Sequence, residues 1–308
     1  MRLAVTVPGA RYGAWPRHLA AALPDWDISY DPEIATPETI DAVLVWRPKP
    51  GWCARFPNLK VIQSFGAGVD HVLSDPHLPH VPLVRLIDPY MTRSMAEFVT
   101  FQVLRLHLGD GNYRRQQNRR AWKDHVPPVA PDRRVGILGF GELGGAVADH
   151  LLRLDFQVAA WSRTAKSHPQ VTCFAGPAEL PELLARSEIL ICLLPLSPDT
   201  HGILSAETFA QLPMGAGLIN VARGRHLVEA DLLAALEQGR IGDAVLDVFA
   251  EEPLPADHPF WAHERIVVTP HVAALTNPLS ASKVIAANLR AVLAGEKVAG
   301  LVDPSVGY

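Results

Sequence analysis

A strand that runs straight into a glycine-rich turn and out into a helix constrains the fold of this chain more than any other feature. Residues 134–138 (Arg-Val-Gly-Ile-Leu) read as a strand, residues 139–144 (Gly-Phe-Gly-Glu-Leu-Gly) follow at once, and residues 146–154 read as a helix. In that setting each glycine of G-x-G-x-x-G has a separate purpose. Gly139 permits the tight turn, Gly141 lets a pyrophosphate approach the backbone, and Gly144 lets helix and strand pack closely. The free N–H groups and the positive end of the helix then face the phosphates. The spacing predicts a dinucleotide cradle.

The same rhythm continues on both sides of that turn. Strand-like runs lie at residues 135–138, 156–161, 171–174, 189–194, 217–221, 244–248 and 266–269, with helical patterns between several of them, such as 230–238 stopped by Gly239. Earlier short, largely apolar runs at 3–7, 42–46, 61–64 and 81–86 read as strands, each ended by Pro, Gly or Asp. Continuous apolar runs suit parallel strands covered on both faces, and the alternation predicts an α/β chain of doubly wound parallel sheets. At about 100–200 residues per domain, a chain of 308 makes two. One helix is expected to open at Ser94, with Glu97 completing a capping box and Phe98, Phe101, Val103, Leu104 and Leu108 forming its apolar stripe. The final helix has Asn277 as N-cap, Pro278 at its first position, Ile285, Leu289 and Val292 on one face, and Gly295 as its stop.

Several function classes fall away on charge and composition. Residues 114–123 hold Arg114, Arg115, Arg119, Arg120 and Lys123 without an acid, ahead of a proline-rich connector at 126–131. With a net charge of -4 for the whole chain, phosphate counterion release brings no overall gain, so no nucleic-acid partner is expected. The basic run reads as a solvated face or an arm against a second subunit. No apolar run approaches the roughly 18 residues of a membrane span. The first strand breaks at Pro8-Gly9, too early for a signal-peptide core. Cys53, Cys173 and Cys192 stand in no metal or redox spacing, which suits a reducing, cytoplasmic compartment. His77-x-x-His80 lacks further ligands nearby, so no metal is expected.

The end of the second strand after the cradle decides between the nicotinamide cofactors. An NAD site normally places Asp or Glu there to bind the ribose hydroxyls. This chain reads Trp161-Ser162-Arg163-Thr164-Ala165-Lys166-Ser167 instead. Ser162, Thr164, Arg163 and Lys166 offer hydroxyls and cations, and the Arg163 fork suits a 2′-phosphate. NADPH is therefore expected, with NADH a weaker substitute.

Three polar stretches follow strands in the same half. They are Asn220-Val221-Ala222-Arg223-Gly224, Asp247-Val248-Phe249-Ala250-Glu251-Glu252-Pro253, and Thr269-Pro270-His271. Ligands of open α/β sheets bind outside the carboxyl ends of strands, so these side chains are expected to converge on one crevice. The chemistry that fits is reduction of a 2-keto acid. His271 suits the proton donor because imidazole titrates near pH 6.5, at about working pH. A carboxylate on its other nitrogen, Glu251 or Glu252, would favour the charged ring. Arg223 would bind the substrate carboxylate or keto oxygen.

Assembled, the chain resembles the D-isomer-specific 2-hydroxyacid dehydrogenase family over nearly its full length. The stretches that carry the likeness are Gly66-Ala67-Gly68-Val69-Asp70, residues 139–144, Ala222-Arg223-Gly224, Asp247-Val248-Phe249 with Glu252-Pro253-Leu254-Pro255, and Pro270-His271. Within the family, the Trp161-Ser162-Arg163 turn, the run from Pro270 to Ala274 and the terminal Gly307-Tyr308 resemble the glyoxylate/hydroxypyruvate reductase branch. The resemblance implies a Rossmann cofactor domain, residues 89–275, inserted into a smaller flavodoxin-like substrate domain of residues 1–88 and 276–308. It implies Arg223, Glu252 and His271 as the catalytic three. It puts Ala67 and Gly68 amides on the substrate carboxylate, Trp46 on the pocket wall and Asp247 on the nicotinamide carboxamide. It extends the cofactor contacts to Glu142, Leu143, Leu194, Pro195, Val221, Ala222 and His271. It also implies a homodimer with residues near 100–125 as the arm. Expected substrates are glyoxylate and hydroxypyruvate, reduced to glycolate and D-glycerate. The alternatives are a dehydrogenase of another D-2-hydroxy acid and a non-catalytic NAD(P)H-sensing protein of the same fold, and retention of Arg223, Glu252 and His271 favours catalysis.

Overall fold

The computed structural model describes residues 1–7 and 12–303, in two compact units: residues 1–91 with those from 276 onward, and residues 92–275. The Pro8-Gly9 break and the terminal Gly307-Tyr308 lie outside the described residues.

The first unit is built on β1 (Arg2–Thr6), β2 (Asp27–Tyr30), β3 (Ala42–Val45), β4 (Val61–Ser64) and β5 (Leu83–Val84), all parallel in the order β2-β1-β3-β4-β5. That is the flavodoxin-like winding, whose order reverses between β1 and β3. β3 and β4 are buried at every position, β3 as a continuous apolar run and β4 with Gln63 hydrogen-bonded to the Ser64 and Val84 carbonyls. Ala4, Val43, Val45, Ile62 and Val72 form one core on this sheet. Each buried Val or Ile side chain contributes roughly 1.5–3 kcal/mol. Helices α1 (Trp15–Ala22) and α2 (Asp70–Leu73) complete the first passage of the chain through this unit. The sequence pattern missed β2, because Asp27-Ile28-Ser29-Tyr30 has neither an apolar run nor a buried position.

Helix α3 (Pro89–Leu108) begins five residues before Ser94, correcting the expected start. Asp88, Oδ1 of which accepts the Tyr90 N–H at 3.1 Å, caps it, and Pro89 is its first residue. An N-cap residue precedes the helical backbone, and the Asp-Pro pair satisfies that requirement better than the serine further on. Ser94 is inside the helix and donates to the Ala273 carbonyl at 3.4 Å, while Glu97 pairs with Arg93. Helix α4 (Asp110–Asn118) carries the basic run. Its arginines are matched by acids: Arg114 with Asp110, Arg115 with Asp243, and Arg119 with Glu264. The Arg114 and Arg119 pairs are exposed, whereas Arg115–Asp243 is half-buried.

The second unit's sheet comprises β6 (Arg134–Leu138), β7 (Gln157–Ser162), β8 (Thr172–Ala175), β9 (Ile189–Cys192), β10 (Ala216–Asn220), β11 (Ile241–Leu246) and β12 (Ile266–Val268). All are parallel, in the order β12-β11-β10-β9-β6-β7-β8, which is the Rossmann winding with one strand added at the β12 edge. Helices α5 (Glu142–Leu152), α6 (Gly176–Arg186), α7 (Ala206–Gln211) and α8 (Glu229–Glu237) lie between strands. Helix α5 starts four residues earlier than residue 146, directly behind Gly141, because its first turn is the cradle itself. Leu138, Leu190, Leu218, Leu246 and Phe260 belong to one core of this unit, and Ile137, Val147, Ile191, Ile219 and Val245 to another. The chain then returns to the first unit through α9 (Pro278–Leu293), which Asn277 caps at the Leu279 and Ser280 amides as the sequence predicts. Helix α9 packs on α1. Among the described residues no helix is long and apolar enough to cross a membrane.

Candidate active site

In the second unit the winding reverses between β6 and β9, and the glycine turn leaves β6 there. Gly139 has φ 101°, a conformation open to glycine, and its N–H donates to the Trp161 carbonyl at 2.9 Å. A side chain at Gly144 would collide with the Gly139 carbonyl oxygen, whereas one at Gly141 would meet nothing within 4 Å. One glycine is thus there for packing and another leaves backbone bare. Gly141 and Glu142 are exposed at the N-terminus of the 11-residue α5, with Leu143 half-buried behind them. The cradle fits a dinucleotide pyrophosphate: bare amides, an open face and a helix end of the right sign. Across the switch point, Leu194 and Pro195 follow β9.

Strand β7 ends at Ser162, the hydroxyl of which donates to the Thr164 carbonyl at 2.8 Å and folds the exit back. Arg163, Thr164 and Lys166 are exposed on that loop. His168 closes it, with one ring nitrogen 3.2 Å from Asp149 on α5 and the other accepting the Gln170 N–H.

The acid–base group forms beyond β11 and β12. His271 Nδ1 lies 2.9 Å from Glu252 Oε2. A carboxylate only accepts, so Nδ1 carries a proton and Nε2 is the nitrogen that can exchange one. The other oxygen, Glu252 Oε1, accepts the Phe249 N–H at 3.1 Å, which fixes the carboxylate. This settles the geometric choice between the two glutamates in favour of Glu252. His271 has φ 55°, in the left-handed region where His, Asn and Asp are enriched among non-glycine residues. Its N–H donates to the Asp247 and Thr269 carbonyls at 2.8 and 3.0 Å, and holds it there.

Asp247 is buried and binds the same turn from below. Its carboxylate accepts from Thr269 Oγ1 at 2.6 Å and from the Val272 and Ala273 amides at 2.9 and 3.0 Å. Charge-assisted bonds of this kind are roughly twice as strong as neutral ones. The sequence singled out Asp247 but gave no sign of these bonds.

Arg223 follows Val221 and Ala222 at the exit of β10, and its Nη1 donates to the Ala222 carbonyl at 2.7 Å. A Cβ at Gly224 would run into the backbone of Phe249 and Ala250, so only glycine lets the Arg223 turn approach the segment that anchors Glu252. Asn220, fully buried, accepts the Ala222 N–H and donates to the Arg223 carbonyl. His226, also fully buried, accepts the Arg223 N–H and reaches the Pro195 carbonyl. Sequence reasoning passed over Asn220 and His226. The available signal was a histidine three residues after Arg223, the N3 position of a capping box.

In the first unit Gly66, Ala67 and Gly68 form the turn between β4 and α2, with Ala67 and Gly68 half-buried. Trp46 follows β3 and its ring lies against Gly66, where a Cβ would fall 2.5 Å from Cζ3. The Trp46 and His71 rings meet edge to face at 4.7 Å, and the Arg47 guanidinium lies 5.9 Å from the indole centroid.

The second unit therefore carries the features of a dinucleotide-dependent oxidoreductase: a phosphate cradle at the switch point and an acid–base pair on the same sheet edge. Residues 101–273 match the family model described as "D-isomer specific 2-hydroxyacid dehydrogenase, NAD binding domain". A glyoxylate/hydroxypyruvate reductase A of Yersinia enterocolitica is 45% identical over 274 residues, covering 87% of this chain and 88% of the relative. A D-isomer specific 2-hydroxyacid dehydrogenase of Xanthobacter autotrophicus, solved with NADPH and MES, superposes with TM-score 0.95 at 44% identity over 100% of this chain and 99% of that one. An NADPH-dependent glyoxylate/hydroxypyruvate reductase of Sinorhizobium meliloti, solved with NADP and sulfate, gives TM-score 0.93 at 36% identity, with 100% and 99% covered. The chain belongs to the D-isomer specific 2-hydroxyacid dehydrogenase family.

Proposed function

We propose that this chain reduces glyoxylate and hydroxypyruvate to glycolate and D-glycerate with NADPH. The observation that carries the reading is the 2.9 Å contact between Glu252 and His271 on the sheet edge that also holds the cradle. The named activities of the Yersinia and Sinorhizobium relatives support the substrate class.

When bound, the dihydronicotinamide supplies the hydride for the carbonyl carbon. His271 gives the proton from Nε2 to the developing alkoxide, and the Glu252 carboxylate stabilises the imidazolium beforehand. The Arg223 guanidinium pairs with the substrate carboxylate or keto oxygen and stabilises charge as it builds there. The Ala67 and Gly68 amides hold the carboxylate, and Trp46 walls the pocket. Gly139, Gly141, Glu142, Leu143 and Gly144 hold the pyrophosphate, with Leu194, Pro195, Val221 and Ala222 along the cofactor. Ser162, Arg163, Thr164 and Lys166 take the 2′-phosphate, a role their exposed, carboxylate-free loop supports. Asp247 meets the carboxamide in addition to ordering the His271 turn.

The reading includes a homodimer. Exposed Phe101 on α3, with fully exposed Trp122 and Val126 beyond α4, supports an arm that a second copy covers. The absence of disulfides among Cys53, Cys173 and Cys192 supports work in the cytoplasm. Loss of NADPH absorbance on addition of glyoxylate is the expected result, with lower efficiency for NADH. No turnover across a panel of small 2-keto acids would overturn the catalytic reading, and equal efficiency with NADH would overturn the coenzyme assignment.

A further inference from the structure

His226 lies outside the proposed proton path, yet it is fully buried and both ring nitrogens are engaged. It sits in the 3₁₀ turn Gly224–His226, so its ring folds back on the residue that precedes the turn. Nε2 is 3.2 Å from the Pro195 carbonyl oxygen, an acceptor only, which makes Nε2 the protonated nitrogen. Nδ1 is then a lone pair, and it accepts the Arg223 N–H at 3.2 Å. Nδ1 is also 3.2 Å from the Arg223 carbonyl oxygen, so both of its contacts are to the Arg223 backbone. Nδ1 thus serves the Arg223 backbone and Nε2 the Pro195 carbonyl.

Each contact ends on a different part of the proposed machinery. The Arg223 backbone is held by His226 on its N–H and by Asn220 on its carbonyl, so its guanidinium starts from a fixed root. The Pro195 carbonyl also receives the Thr200 hydroxyl at 2.7 Å and closes the loop that continues the cofactor side of the sheet. The backbone joins the same two segments: Gly202 and Leu204 amides donate to the Arg225 and His226 carbonyls at 3.0 and 2.8 Å.

We infer that His226 is a positioning residue that ties the substrate-binding arginine to the coenzyme-side loop, one nitrogen for each. Among side chains, imidazole holds two hydrogen-bonding nitrogens in fixed relation on one small rigid ring. The inference rests on the proposed function for what the two ends do.

Two near-isosteres separate the two nitrogens. Asparagine at 226 places an oxygen where Nδ1 was and keeps the Arg223 contact, but it cannot reach Pro195. Glutamine places an N–H where Nε2 was and keeps the Pro195 contact, but it leaves the Arg223 N–H without an acceptor. A buried hydrogen bond corresponds to about three- to tenfold in an equilibrium or rate ratio. His226→Asn is expected to raise the KM and Kd for NADPH about three- to tenfold and leave the glyoxylate KM within about twofold of wild type. His226→Gln is expected to do the reverse, lowering kcat/KM for glyoxylate by a similar factor with NADPH binding unchanged. Coenzyme fluorescence and steady-state kinetics on the full chain read both effects, and circular dichroism confirms folding of each variant. Equal losses in both variants, or none in either, would reduce His226 to ordinary packing and overturn the inference. If wild type bound NADPH but reduced no keto acid, the proposed function would fall. The coenzyme-side half would still be decided by whether Asn, and not Gln, weakens NADPH binding.

Discussion

The two units use one architecture for different ends. Both are doubly wound parallel sheets, five-stranded and seven-stranded, each with a point where strand order reverses. At that edge of the second unit, backbone meets backbone: Gly144 against Gly139, Gly224 against Phe249 and Ala250. Buried polar groups, Asp247, Asn220 and His226, join the turns there into one network. At the corresponding edge of the first unit, Gly66 meets only the ring of a side chain, Trp46. The winding creates a crevice in either case. What fills the turns decides whether it is a rigid constellation or an adaptable wall.

The largest test of that contrast is chemical. His271→Ala is expected to lower kcat by about 10²–10⁴, the usual share of general acid catalysis, with NADPH binding retained. Unchanged turnover would show that the rigid edge is scaffold only. Next comes rigidity itself. Gly224→Ala must push backbone away from Phe249 and is expected to destabilise by about 1–3 kcal/mol or more in denaturant titration, whereas Gly66→Ala displaces a ring and should cost less. If Gly66→Ala proved the more damaging, the contrast between the units would collapse. Arg163→Asp is expected to raise the NADPH KM about tenfold and spare NADH, and an unmoved KM would remove the 2′-phosphate site from that loop.

Smaller effects test the surroundings. Burial tends to raise the Asp110 carboxyl, but hydrogen bonds from Arg114 and Arg105 outweigh it and hold the group below its ordinary value. A depressed folded-state value stabilises above the unfolded value and stops doing so as pH falls through the folded one. Asp110→Asn is thus expected to cost about 0.2–1 kcal/mol near neutrality and nothing in strong acid. A penalty that grew in acid would reverse the sign. Burial pushes the Cys53 and Cys192 thiols up to about 12. Neither should react with an alkylating agent at pH 8 in the native chain, and rapid labelling of Cys192 would show that the second unit's core opens.

Much of this was legible in the sequence because it rests on local rules. The cradle, the capped last helix and the apolar strands each declare themselves within a few residues. The start of α3 did not, since Ser94-x-x-Glu97 imitates a cap while the Asp88-Pro89 pair carries it. Strand β2 has no apolar run because no position in it is buried. The Glu252–His271 contact spans 19 residues, and the bonds from Asp247 to Val272 and Ala273 span 25 and 26. Pairings at such separation are set by the sheet, and spacing alone does not reveal them. His226 was hidden for a plainer reason: it is one of 13 histidines, and its burial is invisible until the turn closes.

The left-handed backbone at His271 limits how far this catalyst can be retooled. Any side chain with a Cβ starts about 1–2 kcal/mol uphill there because that atom crowds the following carbonyl, and lysine and tyrosine, acids of another strength, are not among the types enriched in that region. The residues that tolerate such a bend are few, and histidine alone among them exchanges a proton near neutral pH. An engineer, or a drifting lineage, that wants different chemistry at this spot must rebuild the loop as well as the side chain.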